Sequence, residues 1–230
     1  MKIEISNKLT LSSFAAAKLP GSIKEKLTFQ NPLWEDAVRM SRWTGNIRKE
    51  LEFFQDIPGG LAVPRGFINS VKHLAAAAGE PIQIIDHRLT LPEIDFNFTG
   101  ELRDYQEEAV AAVTGQDEGV LCAPTGSGKT IIALAIIAAR RQPTLIIVHN
   151  KELMNQWMER IEAFTGILRA EIGQIGGGKK VIGEKITVGI VNSLYPIAQD
   201  IQQHFGHVIA DECHRAPARM FTEALAAFAA

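Results

Sequence analysis

From residue 102 onward the apolar positions fall into short runs separated by stretches of helical spacing. Runs at 120–123, 144–149, 170–174, 186–191 and 207–210 have the length of strands in a covered sheet. Between them, 104–114, 129–141, 151–164 and 194–204 carry apolar residues at helical intervals. Strands alternating with helices predict right-handed βαβ crossovers and a parallel sheet with helices on both faces.

The first 95 residues have a different texture. Residues 2–6, 9–13 and 81–86 read as strands, and 49–55 with 61–64 as a hairpin across 56–60. Residues 32–40 and 67–78 read as helices, the second stopped by Gly79 and Pro81. That is an α+β pattern. Residues 91–100, with Pro92 and little periodicity, read as a linker. The expectation is a small α+β accessory domain over 1–95 and an α/β domain over 96–230. No internal repeat or low-complexity segment interrupts either.

Composition adds limits. At 46% apolar residues the 230-residue chain can bury a sizeable core, and its net charge of −2 means that any nucleic-acid site must be a local patch. Cys122 and Cys213 lack metal-ligand spacing and read as reduced thiols. No run approaches the ~18 apolar residues of a membrane span, and the N-terminus has no signal-peptide pattern. The chain therefore reads as soluble and intracellular, cytoplasmic or nucleoid-associated, with no membrane partner.

The chemistry concentrates at two strand ends. Ala123-Pro124-Thr125-Gly126-Ser127-Gly128-Lys129-Thr130 joins an expected strand to an expected helix. This is the setting of a phosphate-binding loop. Gly126 and Gly128 let backbone N–H groups converge on one point, and the helix start adds its positive dipole end. Lys129 supplies a full charge for β- and γ-phosphates, and Thr130 a hydroxyl for Mg²⁺. Ala123 stands where the strict pattern has its first glycine. The second strand end carries Asp211-Glu212-Cys213-His214 directly after the run 207–210. Open α/β sheets bind ligands at the carboxyl ends of their strands. There Asp211 can hold Mg²⁺ and Glu212 can deprotonate an attacking water.

With these motifs in order, residues 102–230 resemble the DExH-type helicases and translocases of superfamily 2. Arg103 and Gln106, in Leu102-Arg103-Asp104-Tyr105-Gln106, look like the adenine-recognition motif, with Gln106 reading the base edge. The stretch 123–130 resembles motif I, where alanine in first position is common. Residues 143–153 resemble motif Ia and 186–194 the following segment. The resemblance implies nucleic-acid contacts from Lys151 and Ser193. Many relatives carry Pro-Thr where this chain has His149-Asn150. Residues 211–214 resemble motif II, which implies that His214 couples nucleotide state to motion.

Three features resemble the XPB-like and phage UvsW-like branch. Gln106 lies 20 residues before Gly126, Gly176-Gly177-Gly178-Lys179-Lys180 precedes a strand, and Arg215-Ala216-Pro217-Ala218 follows motif II. Motor subunits of restriction enzymes share much of this. The resemblance implies a RecA-like P-loop fold, ATP and Mg²⁺ as cofactors, and double-stranded or branched DNA as partner. It also implies a second RecA-like domain beyond residue 230. The expected object is the N-terminal portion of an ATP-dependent DNA helicase, nearly inactive by itself. A nucleotide-dependent nucleic-acid-binding module without unwinding activity is the alternative.

Two segments keep more than one reading. Gly176-Gly177-Gly178 with its lysines is a turn or a phosphate-contacting loop. Residues 39–49 interleave Arg39, Arg42, Arg48 and Lys49 with Trp43. They can grip phosphates and stack a base, with Arg65 and Lys72 extending the patch. Otherwise Trp43 is core and the cations form a solvated face.

Overall fold

The computed structural model describes residues 1–213 and 219–229. The chain divides into two compact units, 1–87 and 88–230.

The first unit runs β1 (Lys2–Ile5), β2 (Lys8–Ser12), α1 (Leu19–Lys26), β3 (Thr28–Gln30), α2 (Pro32–Arg39), β4 (Glu50–Glu52), β5 (Gln55–Ile57), β6 (Gly60–Pro64), α3 (Ile68–Ala77) and β7 (Gln83–Asp86). Its five-stranded sheet has the order β5-β6-β2-β1-β7, and only the β1–β7 pair is parallel. Alternate residues Ile3, Ile5, Leu9 and Leu11 share a core with Leu19 and Ile23 of α1 and Val71 and Ala75 of α3. α1 is an element that the sequence pattern did not predict, and it carries Pro20-Gly21. Pro20 sits in the first helical turn, where its missing N–H costs nothing. The expected hairpin also divides. β4 pairs with β3, and only β5 turns back onto β6, across Pro58 and Gly59. Gly60 lets β6 lie close against β2: a Cβ there would come within 2.0 Å of the Leu11 carbonyl oxygen.

Glu80 closes this unit. Its buried carboxylate accepts from the Met1 ammonium at 2.7 Å and from the amides of Ala15 and Ala16 at 2.9 and 2.5 Å. These donors, the Met1 ammonium foremost, hold its pKa down to about 2, from an ordinary 4.5. The charged form is favoured by folding. Its contribution is complete above pH 4.5 and is lost as pH falls from there toward 2. Glu80→Gln should lower the melting temperature of this unit at pH 7 and flatten its acid dependence in that window. Thermal unfolding across the pH range checks both, and an unchanged acid limb would remove Glu80 from the account.

The second unit runs α4 (Asp104–Thr114), α5 (Lys129–Arg140), β8 (Thr144–Val148), α6 (Lys151–Thr165), β9 (Gly173–Gly176), β10 (Lys179–Val181), β11 (Ile186–Ile190), α7 (Val191–Leu194), α8 (Ala198–Ile201), β12 (His207–Ala210) and α9 (Arg219–Leu225). Its sheet has the order β10-β9-β11-β8-β12, parallel except for the β9–β10 hairpin. β8 is buried throughout. Its Ile146 and Val148 face a core shared with Leu134 and Ile137 of α5 and Met154, Trp157 and Ile161 of α6. Leu145 and Ile147 face the opposite core, with Leu194, Ile201 and Phe221. Helices thus cover both faces, as the alternating pattern required.

Three local expectations change, and one open reading resolves. Residues 120–123 form no strand. Among the described residues they pair with no strand of the sheet, and Val120 is 72% exposed. Four apolar residues make a strand only where a sheet edge accepts their backbone groups. The helix expected over 194–204 is broken after Leu194 into a 3₁₀ turn at Tyr195–Ile197, α8 and a second 3₁₀ turn at Gln202–His204; Pro196 cannot donate to a helical ladder. The triple glycine resolves as a hairpin turn. Gly177 and Gly178, at φ +61° and +87°, form a two-residue connection between β9 and β10. Finally, the division between units falls at residue 87, and the stretch expected as a linker straps onto the second unit. The Ile94 amide donates to the Arg141 carbonyl and the Thr99 amide to that of Phe164, each at 2.9 Å, while Phe96 and Phe98 pack on the α5–α6 core.

Candidate nucleotide site

The loop before α5 owes its shape to two glycines. Gly126 and Gly128 have φ of +81° and +80°, conformations that side chains rarely adopt, and Gly128 is the N-cap of α5. A Cβ on Gly126 would meet nothing within 4 Å, so the loop opens to space at that point. Lys129, the first residue of α5, donates from Nζ to the carbonyls of Ala123 and Pro124 at 3.1 and 3.2 Å. These contacts hold the ammonium over the loop with one donor left. Ser127 Oγ is buried with no hydrogen-bond partner among the described residues. Pro124 and Thr125 are exposed, and Thr130 is half-buried in the first turn of α5.

The start of α4 clamps this loop. Gln106 is buried; its Oε1 accepts from the Arg103 amide at 3.0 Å and its Nε2 donates to the Ser127 carbonyl at 2.9 Å. Tyr105 Oη donates to the same carbonyl at 3.0 Å. Each end of the Gln106 amide keeps one further hydrogen-bonding position. Gly128 also makes room for it, since a Cβ there would lie 2.5 Å from Nε2. Arg103 is the N-cap residue of α4.

Asp211 follows β12. Its amide donates to the Ile147 carbonyl of β8 at 3.0 Å, which fixes it at the carboxyl edge of the sheet. One carboxylate oxygen accepts from the Glu212 amide at 2.9 Å and the other from the Trp157 indole N–H at 2.8 Å. Glu212 is exposed and left-handed, at φ +53°. A non-glycine residue held there stores on the order of 1–3 kcal/mol, a pattern that concentrates at functional sites. Cys122 and Cys213 are free and exposed. His214 lies outside the described residues.

The same edge gathers the two residues expected to contact nucleic acid from this unit. Lys151, exposed, opens α6 just after β8, and Ser193 lies in α7 just after β11. The departure at 149–150 has a structural basis. Asn150 caps α6, its Oδ1 accepting from the Leu153 amide at 2.9 Å. The His149 ring lies 5.0 Å from that of Phe221.

In the first unit, Trp43 is 86% exposed, so it is not core. Its ring lies against Gly45, where a Cβ would sit 2.4 Å from it, leaving the other face open. Arg39 pairs with Asp36 at 2.6 Å, and Lys49 lies 5.5 Å over the Trp34 ring. Arg42 and Arg48 are exposed. Phe29, Phe53, Leu33 and Met40 are further exposed apolar residues of this unit.

Trp157 is the residue that motif reading missed. It stands at an apolar helical position, indistinguishable in sequence from core. Only the pairing of β8 with β12 brings its indole to Asp211.

Residues 99–230 match the family model described as type III restriction enzyme, res subunit. Among curated relatives, a "DNA 3'-5' translocase XPB2" of Sulfurisphaera tokodaii is 39% identical over 122 residues, 53% of this chain and 27% of that protein. A "Putative DNA 3'-5' helicase Rad25" of Haloarcula marismortui is 32% identical over 151 residues, 64% of this chain and 24% of that protein. The chain thus spans about a quarter of the length of these relatives. The crystal structure of the UvsW helicase from bacteriophage T4 superposes with a TM-score of 0.72 at 17% identity, covering 100% of this chain and 89% of that one. That likeness establishes the fold, a RecA-like α/β unit preceded by a small α+β unit. With the family model covering more than half of its residues, the chain belongs to the family of type III restriction enzyme res subunits.

Proposed function

We propose that this chain is the ATP-binding portion of a DNA helicase or translocase. The observation that carries the reading is one α/β unit presenting both a glycine-shaped loop with Lys129 over its mouth and an Asp-Glu pair at a parallel strand end. In this reading the loop amides of 125–130 and Lys129 bind the phosphates of ATP, displacing the Ala123 and Pro124 carbonyls from the ammonium. The unpartnered Ser127 hydroxyl faces the same task. Gln106 and Arg103 meet the adenine while Gln106 keeps the loop tied to α4. Thr130 and Asp211 form a hydroxyl-plus-carboxylate donor set, which suits Mg²⁺ when phosphate oxygens and water complete its shell. When bound, the ion neutralises charge building on the phosphates. Glu212 takes the proton of the attacking water, and His214 couples that step to motion.

The DNA side is read from Lys151 and Ser193 at the same sheet edge, and from Arg42, Trp43 and Arg48 on the first unit. Relatives bearing the names translocase and helicase support DNA as the partner. A second RecA-like domain would supply the rest of the nucleotide cleft. An arginine finger is worth roughly 10³–10⁵ in rate, so hydrolysis needs both halves. The family description supports a second reading, the motor subunit of a restriction enzyme. Strand-displacement and ATPase assays of the full-length protein on duplex, forked and RNA substrates separate these. Unwinding supports a helicase and counts against the restriction-type motor, while DNA-stimulated hydrolysis without strand displacement fits a translocase or that motor. Hydrolysis indifferent to DNA would contradict both.

The first unit gives a separate test. Phosphate contacts release counterions, so affinity falls with salt in proportion to their number. Arg42→Ala with Arg48→Ala should reduce the salt slope of DNA binding by about one to two. Trp43→Ala should weaken binding by about 1–3 kcal/mol, largely independent of salt. Because Trp43 is exposed, the fold should survive, as circular dichroism would verify. An unchanged affinity and slope for the arginine pair would make this segment a solvated face.

A further inference from the structure

The Asp211 carboxylate is held from two directions, and one of them is a helix that no motif assigns to it. Trp157 is 4% exposed and packs in the core formed by α5, α6, β8 and β11. Its one polar atom donates to Asp211 Oδ2 at 2.8 Å. Trp157 lies on α6, whose first residue is Lys151 and whose start is fixed by the Asn150 cap. With the Glu212 amide on Oδ1, the indole fixes the plane of the carboxylate and leaves each oxygen a free lone pair. Partners of this kind set the orientation and affinity of a metal ligand.

We propose that Trp157 is a positioning residue: its indole N–H orients Asp211 for the metal and ties that carboxylate to the helix that begins at Lys151. Resting on the nucleotide-site reading above, this adds a device to it. A shift of α6 on engaging a phosphate backbone reaches Asp211 through one hydrogen bond. Nucleotide bound without Mg²⁺ does not use it.

The test measures binding of a ribose-labelled fluorescent ATP analogue to the 230-residue chain by anisotropy, excited away from tryptophan, as Mg²⁺ is titrated. Trp157→Phe keeps the ring in the core and removes the N–H. The Mg²⁺ concentration needed for half the gain in affinity should rise about tenfold or more, with affinity in EDTA unchanged. Met158→Ala, buried in the same core, should leave the Mg²⁺ requirement unaltered. An unchanged requirement in Trp157→Phe, or an equal rise in Met158→Ala, overturns the inference while the nucleotide site stands. A parent chain that binds no nucleotide overturns both. Should Trp157→Phe fail to fold, the parent chain still decides. Its Trp157 indole N–H resonance, identified with the help of Trp34→Phe and Trp43→Phe, should exchange slowly and move when Mg²⁺ is added to the nucleotide-bound chain. A fast-exchanging or unmoved signal contradicts the proposal.

Discussion

In the full-length protein, Glu212→Gln should still bind Mg-ATP yet lose hydrolysis. The amide preserves size and shape, but it cannot accept the proton of an attacking water. General-base catalysis contributes about 10²–10⁴-fold, which sets the expected loss. The substitution leaves the backbone in place, so the Asp211 oxygen bonded to the Glu212 amide keeps its donor. Binding and chemistry should therefore separate cleanly. Steady-state phosphate release above about a tenth of the parent rate would count against Glu212 as the base, since the lower bound of such catalysis is already larger.

Lys129→Ala should act one step earlier, on binding. Lys129 is the cation that the loop itself holds in place, through the Ala123 and Pro124 carbonyls. Removing a charge-assisted contact costs about 1.5–3 kcal/mol, or about tenfold or more in affinity. The mutated loop keeps Gly126 and Gly128, and α5 keeps its apolar face, so the fold should not change. Titration of a fluorescent ATP analogue into both chains measures the loss. Equal affinities would remove the phosphate-binding role from Lys129.

Much of this was legible in sequence because the decisive signals are local. α4 and β12 fall where periodicity placed them, and β8, α5 and α6 differ only at their ends. The glycines at 126 and 128, set between an apolar run and a helix, permit the positive φ that both adopt. What sequence hid depends on partners distant along the chain. The apolar run 120–123 has strand composition, yet whether it joins a sheet depends on a free edge beside it. Pro20 stands in the first turn of α1, and residue type does not distinguish the first turn of a helix from its middle. Trp43 and Trp157 look alike as letters. One lies against Gly45 in the open, and the other reaches Asp211 from 54 positions away. Gln106 was expected at the base edge, and the structure adds the Ser127 carbonyl as a partner. That tie needs the loop and α4 side by side, which no spacing rule encodes.

The central claim is that residues 123–130 form a phosphate cradle served by Asp211. Backbone amide NMR of the unmodified chain during titration with Mg-ATP addresses it directly. The account predicts saturable shifts, largest at Gly126 to Thr130, with a second set at Asp211 and at the Trp157 indole. Absence of binding, or shifts confined to other parts of the chain, would contradict it.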